Sequence, residues 1–275
     1  MLPVIMGLIA GGTAFYVLAR NEKKRARPVA ARGAEPRVGF GGDAALSFYA
    51  ARFMVGDVPI EPEHVLAAAL YDARVVERLR ALGIVVETAQ ADLLAMARHA
   101  QSPFAEPHDF NPGEHYGTAR VSVRLLVSGR RARQIAIDRG ASTISLGDLL
   151  RAFRERGGVL AQLIGSDDKA LATLDVERTV DISKRTVAAE DFAGEVDVFA
   201  VNDDRTTMAL VLSLLTEVWA LSASRAAWVM NETHDKGHGY IGRFAAADAR
   251  QRVARSTVKA RSLDMPLSFA SCTSE

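Results

Sequence analysis

The sequence predicts a multidomain protein in which an all-α region with a duplicated helical unit precedes a small α+β sandwich. Three observations carry this prediction. An uncharged run occupies the N-terminus, an apolar pattern recurs at a fixed offset in the middle of the chain, and the last eighty residues have strand and helix patterns in the order βααβαβ. The 275 residues suffice for an N-terminal segment and two small domains.

The N-terminal segment, residues 1–20, has the composition of a transmembrane anchor. Leu2–Ala19 contains eighteen residues without a charge. As an α-helix it would span roughly 27 Å, close to the thickness of a bilayer core. Basic residues in the linker at 21–40 predict a single-pass inner-membrane protein whose later domains face the cytoplasm. A cleaved signal peptide is the alternative, although such peptides begin with basic residues and Met1–Pro3 has none.

Residues 41–165 contain an internal repeat of helix, loop and helix. Apolar positions of the first copy recur 84 positions later with the spacing of one helix face. Pro62 lies in the first turn of a predicted helix, where its missing N–H is harmless, and Ser145 is a good N-cap in the second copy. The paired residues are Ile60 and Ile144, His64 and Asp148, Val65 and Leu149, Leu66 and Leu150, Val75 and Val159, Val76 and Leu160, and Leu79 and Leu163.

Two polar segments separate the folded units. Gln101–Gly117 contains three prolines and two glycines, and it is predicted to be the loop between the two copies. Residues 166–195 are charged and low in aromatic residues. This second segment is predicted to be a semi-flexible linker before the C-terminal domain.

The C-terminal segment, residues 196–275, contains the elements of the sandwich. Its strands are predicted from β-branched and aromatic residues, and its helices from apolar periodicity with polar caps. The predicted order is a strand at Val196–Val201, a helix capped by Thr206, a helix capped by Ser222 or Ser224 that ends near His234, a strand at Tyr240–Phe244, a helix at Ala245–Arg261, and a strand at Leu267–Ala270.

A polar corner joins the first strand of the sandwich to its first helix. Asn202, Asp203 and Asp204 follow the strand, and an apolar helix face begins at Met208. A desolvated ammonium group needs an oxygen at each N–H, and charge-assisted bonds to a carboxylate are the strong ones. The corner therefore predicts a site for a cationic amine that carries an apolar side chain. The same residue types also occur in ordinary turns and helix caps.

Several motifs follow one another in this segment: Asn202-Asp203-Asp204-x-Thr206-x-Met208, Ala226-x-x-x-Met230-x-x-x-His234, Gly237-x-Gly239, Ile241-Gly242-x-Phe244 and Pro266-Leu267. Because it contains these motifs in this order, the segment from about Val196 to Thr273 resembles the ClpS adaptors, which bind bacterial N-degrons. Separated motifs in a fixed order are more specific than any one of them alone.

The resemblance implies a non-catalytic adaptor without a cofactor. It would bind substrate proteins that begin with Phe, Tyr, Trp or Leu and deliver them to a Clp AAA+ unfoldase and its protease. Asn202, Asp203 and His234 would bind the free α-amino group. The pocket for the first side chain would be formed by Thr206, Met208, Val211, Met230, Thr233 and Leu267.

Six positions depart from the family pattern, including Asn231 and Glu232, which replace apolar neighbours. Thr233 places a hydroxyl in a wall that is normally aliphatic, and Thr207 replaces the usual proline at the helix start. Ala247 and Arg252 stand where the family presents a Glu and a Lys to its unfoldase, and they form the predicted partner interface. The departures leave open the preferred first residue and the usual docking contact.

The duplicated helical unit resembles the Clp N-terminal repeat domain, found at the front of Clp unfoldases. Its nearest match is Ile60–Leu70, and Ser142–Leu150 is the weaker partner. In unfoldases this domain is the surface that ClpS binds. The fusion therefore implies docking of the two domains within one chain, at an effective concentration around millimolar. The alternative function is a self-capped regulatory or decoy module, in which the repeat occupies the docking face of the ClpS-like domain.

Other functions lack their sequence signatures. No G-x-x-x-x-G-K-[ST] and no G-x-S-x-G occurs, so neither a P-loop motor nor the usual serine-hydrolase elbow is predicted. The net charge of +1 predicts no nucleic-acid partner. A metallohydrolase is disfavoured because Gly237 interrupts the zinc-like spacing of His234 and His238.

Cys272, the one cysteine, excludes an internal disulfide and fits a reducing compartment.

Overall fold

The computed structural model describes residues 39–273 apart from 56, 82, 101, 104, 106–119, 177–181 and 183–193. Residues Val38–Glu275 form one compact unit. The described part contains a helical region with one short sheet, followed by a C-terminal domain with a three-stranded sheet. The prediction of a mostly helical, multidomain chain with a small α+β region at its end is therefore confirmed.

Eight helices make up the described part of the helical region. Every residue of the second is buried, because its alanines let it pack closely against the first and fourth. The helices are α1 (Gly42–Arg52), α2 (Pro62–Ala69), α3 (Ala73–Ala81), α4 (Val86–His99), α5 (Val123–Asp138), α6 (Leu146–Glu155), α7 (Gly158–Ile164) and α8 (Asp168–Ala172).

Short parallel pairings relate the two copies of the repeat. The strand β1 (Gly39–Phe40), before α1, pairs with β2 (Thr143–Ile144), before α6. Ile60, before α2, pairs in the same sense with Val121, before α5. The first helix of each copy thus begins beside the second helix of the other copy. The two-stranded sheet corrects the prediction that the helical region is all-α.

The second helices of the two copies begin in the same way. The Glu61 N–H donates to Nδ1 of His64 at 3.1 Å, three residues into α2. At the start of α6, the Ser145 N–H donates to the carboxylate of Asp148 at 2.9 Å. Each pair satisfies a backbone donor that the helix itself leaves unpaired. The predicted equivalence of His64 with Asp148 is therefore seen in the caps.

The fixed offset fails one helix later. Val75 and Leu79 of α3 are buried, but the predicted counterpart of Val75, Val159, is 46 % exposed. The buried residues of α7 are instead Leu160 and Ile164. The register slips because α7 begins 12 residues after the start of α6, whereas α3 begins 11 residues after the start of α2.

Helix α8 lies in the segment that the sequence predicted as a linker. The side chain of Asp167 caps it by accepting the N–H groups of Lys169 and Ala170. Leu171 and Leu174 are buried in the apolar core. The helical packing therefore continues to at least Leu174, and most of the remaining linker lies outside the described residues.

The C-terminal domain has the predicted order βααβαβ. The strand β3 is central and runs antiparallel to both β4 and β5. Its alternate residues Val196, Val198 and Ala200 are fully buried, as one face of a sheet packed against helices requires. The elements are β3 (Glu195–Val201), α9 (Met208–Glu217), α10 (Ala223–Lys236), β4 (His238–Ala245), α11 (Ala246–Arg261) and β5 (Ser268–Thr273).

The N-cap of α9 differs from the prediction by one residue. The cap is Thr207, whose hydroxyl accepts the N–H of Leu210 at 3.3 Å. The predicted cap, Thr206, instead donates its own N–H to the carboxylate of Asp203 at 2.6 Å. This side-chain turn delays the start of the helix by one residue.

The structure corrects the predicted localisation. Among the described residues, no helix is long and apolar enough to cross a bilayer. The longest, α5 and α11, have 16 residues each and carry several arginines, whereas a span needs about 20 mostly apolar residues. This finding contradicts the predicted single-pass inner-membrane protein. The segment Leu2–Ala19 lies outside the described residues.

Candidate functional site

The polar corner lies where β3 runs into the loop before α9, next to the end of α10. The N–H of Asn202 donates to the carbonyl of Gly237 at 2.9 Å. Gly237 ends α10 in a left-handed conformation, φ 80°, which glycine adopts without strain. Because α10 continues to Lys236, His234 lies in its last turn. The backbone thus joins the Asn202 loop to the helix end that carries His234.

Asp203, the third residue predicted for the α-amino group, fixes this loop with its own side chain. Its Oδ1 accepts the N–H groups of Arg205 at 2.8 Å and Thr206 at 2.6 Å, a turn that Asp readily forms. Burial opposes ionisation, but the bonds from Thr206 and Arg205 and the charge of Arg205 lower the pKa of Asp203 below its ordinary value. Asp203 is therefore a carboxylate at neutral pH.

Two buried oxygens at this corner have unused hydrogen-bonding capacity. Asp203 Oδ2 and Thr206 Oγ1 are the only buried side-chain atoms without a hydrogen-bond partner in the described part of the C-terminal domain. The Thr206 side chain is near enough to favour the charge on Asp203, but it does not meet hydrogen-bond geometry. Buried polar atoms are nearly always paired, so this pair needs an explanation. A ligand that brings its own N–H groups would provide one.

The residues predicted to form the side-chain pocket come from α9, α10 and the segment before β5. Val211, Met230, Thr233 and Leu267 are 3–7 % exposed. Met208, in the first turn of α9, is 43 % exposed. The structure thus places four of the predicted wall residues in the interior and Met208 at the surface.

The hydroxyl of Thr233 is used within its own helix. It donates to the carbonyl of Val229 at 2.7 Å. The strand β4 passes close by at Gly239, where an added Cβ would lie 2.3 Å from that carbonyl oxygen and 2.4 Å from the Thr233 hydroxyl. Glycine is therefore required at this crossing, and the Thr233 hydroxyl is hydrogen-bonded within its own helix.

Contacts between α10 and the helical region were not predicted residue by residue. Asp43 Oδ1 lies 2.5 Å from Nζ of Lys236, which is 193 positions later in the chain. The hydroxyls of Tyr71 and Ser224 are hydrogen-bonded at 2.6 Å, 153 positions apart. No local sequence pattern signals such distant pairs. The one signal in the sequence is the charged residue Asp43 at the start of a helix whose other buried residues are uncharged.

The residues predicted to face an unfoldase lie on α11. Ala247 is exposed. Arg252 is held within its own domain, since it pairs with Asp248 at 2.9 Å, donates to the carbonyl of Val218 at 3.2 Å and lies 5.3 Å from the ring centre of Phe244. The face around Ala247 is therefore open, whereas the Arg252 charge is fixed in place.

His234 and His238 lie on different elements, because α10 ends at Lys236 and β4 begins at His238. The ring of His238 contacts the ring of Phe199, with 5.9 Å between the centres. Within the described ranges, no group of three His, Cys, Asp or Glu side chains is placed to hold a metal ion. The zinc-helix spacing therefore does not correspond to a helix in the structure.

Comparison with known proteins identifies the class of the C-terminal domain. The family model described as ATP-dependent Clp protease adaptor protein ClpS matches residues 194–270. The chain is 38 % identical over 81 residues to the ATP-dependent Clp protease adapter protein ClpS of Nitratidesulfovibrio vulgaris. The matched segment covers 28 % of this chain and 81 % of that protein. It is 34 % identical over 70 residues to the protein of that name from Neisseria gonorrhoeae, covering 26 % and 67 %.

These matches place the C-terminal domain among the ATP-dependent Clp protease adaptor proteins. The chain belongs to the ClpS family through its C-terminal domain. A similar solved structure is that of Agrobacterium tumefaciens ClpS2 bound to L-phenylalaninamide, with 22 % identity, a TM-score of 0.28, and coverage of 29 % of this chain and 96 % of that one. The family match does not extend before residue 194, so the resemblance of the helical region to a Clp N-terminal repeat stays a prediction.

Proposed function

We propose that this protein is an adaptor that binds substrate proteins by a free N-terminal amino group with a Phe, Tyr, Trp or Leu side chain, and passes them to a Clp AAA+ unfoldase. The observation that carries the proposal is the buried, unsatisfied Oδ2 of the ionised Asp203. Membership of the ClpS family supports the partner class. Binding of this kind requires no cofactor.

The α-ammonium group of the substrate would occupy the polar corner. It has three N–H donors. Asp203 Oδ2 would accept the charge-assisted bond, and Thr206 Oγ1, the Asn202 amide oxygen and an imidazole nitrogen of His234 offer neutral acceptors. N-acetylation would remove the positive charge and two of the donors, so it would leave Asp203 without its partner.

The first side chain of the substrate would enter beside Met208. Burying a Phe or Leu side chain contributes about 1.5–3 kcal/mol, and a flexible methionine adapts its shape to such a group. Val211, Met230 and Leu267 would supply the apolar wall. Because the Thr233 hydroxyl donates to its own helix, this wall position can accept an apolar side chain without leaving a donor unpaired.

Asp203→Asn tests the amine site. Asparagine keeps an oxygen that can accept the two turn bonds, so the loop should persist while the charge is lost. The affinity for a Phe-initiated peptide should fall roughly 10- to 150-fold, which corresponds to the loss of a charged hydrogen bond. Isothermal titration calorimetry measures this change. Asp204→Asn is the matched control, because Asp204 is exposed; an equal loss in both variants would contradict the role of Asp203.

The self-capped alternative would require the helical region to cover the docking face around Ala247 and Arg252. Ala247 is exposed, and the contacts given above for Arg252 lie within the C-terminal domain. The hydrogen bonds and ion pair from the helical region run to α10 instead. Among the described residues, the helical region thus contacts α10 and leaves Ala247 on α11 exposed, which favours delivery over capping.

A further inference from the structure

The end of α10 that carries the proposed amine site is tied to the helical region. We propose that Asp43, on α1, is a positioning residue for that site and acts through Lys236. This role rests on the proposed function, because it concerns the same site. It would make the helical region a working part of N-degron binding rather than an independent attachment.

One face of α10 contacts the helical region, and the opposite face carries residues proposed to bind the substrate. Successive residues of an α-helix are rotated by about 100°. Ser224 and Trp228, which contact Tyr71, therefore share one face, while Met230 and Thr233 lie on roughly the opposite face. The helical region thus supports α10 from behind and does not cover the residues proposed to bind the substrate.

Asp43 is the centre of a buried ion network. Its side chain is 5 % exposed and lies 2.5 Å from Nζ of Lys236 and 2.6 Å from Nη2 of Arg74. Arg74 also pairs with Asp72 at 2.6 Å, and Lys236 lies 3.8 Å from Glu232. Removing charges from water is costly unless each is paired. The network therefore holds the Lys236 ammonium group against α1.

The network reaches the amine site through the backbone. Lys236 is the last residue of α10 and follows His234 by two positions. The next residue, Gly237, accepts the N–H of Asn202. Helix ends are the parts of a helix that open most readily. The Lys236 contact therefore restrains the last turn, and with it both His234 and the loop of Asn202.

Tyr71 holds the other end of α10 and provides an internal comparison. Its hydroxyl bonds Ser224 at 2.6 Å, its carbonyl accepts a bond from Arg225 at 3.0 Å, and its ring meets Trp228 edge-on with centres 6.1 Å apart. Tyr71→Phe removes the hydroxyl bond and keeps the ring. That variant loosens the same interface without releasing Lys236.

The experiment compares Asp43→Asn with Tyr71→Phe in the full chain. Each variant is checked for folding by circular dichroism and titrated with a Phe-initiated peptide, free or N-acetylated. Asp43→Asn should weaken binding of the free peptide about tenfold or more, and Tyr71→Phe less than about twofold. Asp43→Glu, which keeps the charge, should restore part of the lost affinity. The His234 ring signals in NMR spectra should shift in Asp43→Asn but not in Tyr71→Phe.

Unchanged affinity in folded Asp43→Asn would overturn the positioning role while leaving the proposed function intact. If Asp43→Asn does not fold, Lys236→Gln tests the other side of the same contact with the same expectation, and unchanged affinity there overturns the role. If the wild-type protein binds free and acetylated peptides equally, the proposed function fails and this role fails with it.

Discussion

The two carboxylate oxygens of Asp203 have different surroundings. Oδ1 accepts two backbone N–H groups and shapes the loop, whereas Oδ2 is buried without a partner among the described residues. At the residue scale, this asymmetry is what distinguishes the corner from an ordinary helix cap.

The pH dependence of peptide binding follows from the ionisation of this residue. The pKa of Asp203 in the folded protein lies below its ordinary value. Asp203 therefore stays ionised as the pH falls to about 3.9, where an unperturbed aspartate titrates, and it is protonated only at lower pH. The α-amino group of the peptide loses its proton at a pH of about 7.7–8.0. Affinity should therefore decline above the upper limit, where the ammonium group is lost, and again below the lower limit, where the Asp203 carboxylate is lost. Fluorescence anisotropy titrations across this range measure it, and an affinity that increases above the upper limit would contradict binding of an ammonium group.

At the scale of elements, the crossing of α10 and β4 sets the spacing of the domain. Gly239→Ala would place a Cβ 2.3 Å from the carbonyl oxygen of Val229. Neither backbone can yield easily, so the change should destabilise the domain by about 1–3 kcal/mol. Thermal unfolding measures this loss. Gly39→Ala is the control, because an added Cβ there has no neighbour within 4 Å; similar losses in both variants would mean that the close approach is not the cause.

Periodicity predicted the elements of the C-terminal domain well, because β3 places Val196, Val198 and Ala200 on one buried face of the sheet and the helices α9 and α10 each bury an apolar face. The strand predicted at Val196–Val201 spans Glu195–Val201. The cap of α9 could not be assigned from sequence, since Thr206 and Thr207 are chemically equal and the side chain of Asp203 decides between them. The site residues were named from a resemblance, but the unsatisfied Oδ2 is visible only in three dimensions.

At the scale of the whole molecule, the sequence indicated two regions and left their contact open. The residues that join them are separated by more than 150 positions, and neither local propensity nor periodicity carries information over that distance. The repeat offset could not be predicted beyond α6 either. The start of α7 is shifted by one residue, so its buried residues are Leu160 and Ile164 rather than those at the fixed offset. Packing between elements therefore had to be observed rather than predicted.

Binding to an unfoldase should depend on the open face of α11. Ala247→Lys places a positive charge at the exposed position where the family presents a Glu, so it should weaken binding to a purified Clp unfoldase while leaving peptide affinity unchanged. Val127→Lys, at an exposed position of α5, is the control and should alter neither. Surface plasmon resonance with immobilised unfoldase measures both variants. Failure of the wild-type chain to bind the unfoldase would favour the self-capped module instead.

The most direct measurement is a calorimetric titration of the full chain with one Phe-initiated peptide in its free and N-acetylated forms. Recognition of a charged amine by Asp203 predicts saturable binding of the free peptide and at least about a tenfold weaker binding of the acetylated one, since a charged hydrogen bond is lost. Equal affinity for the two forms would contradict the proposed recognition of free N-termini.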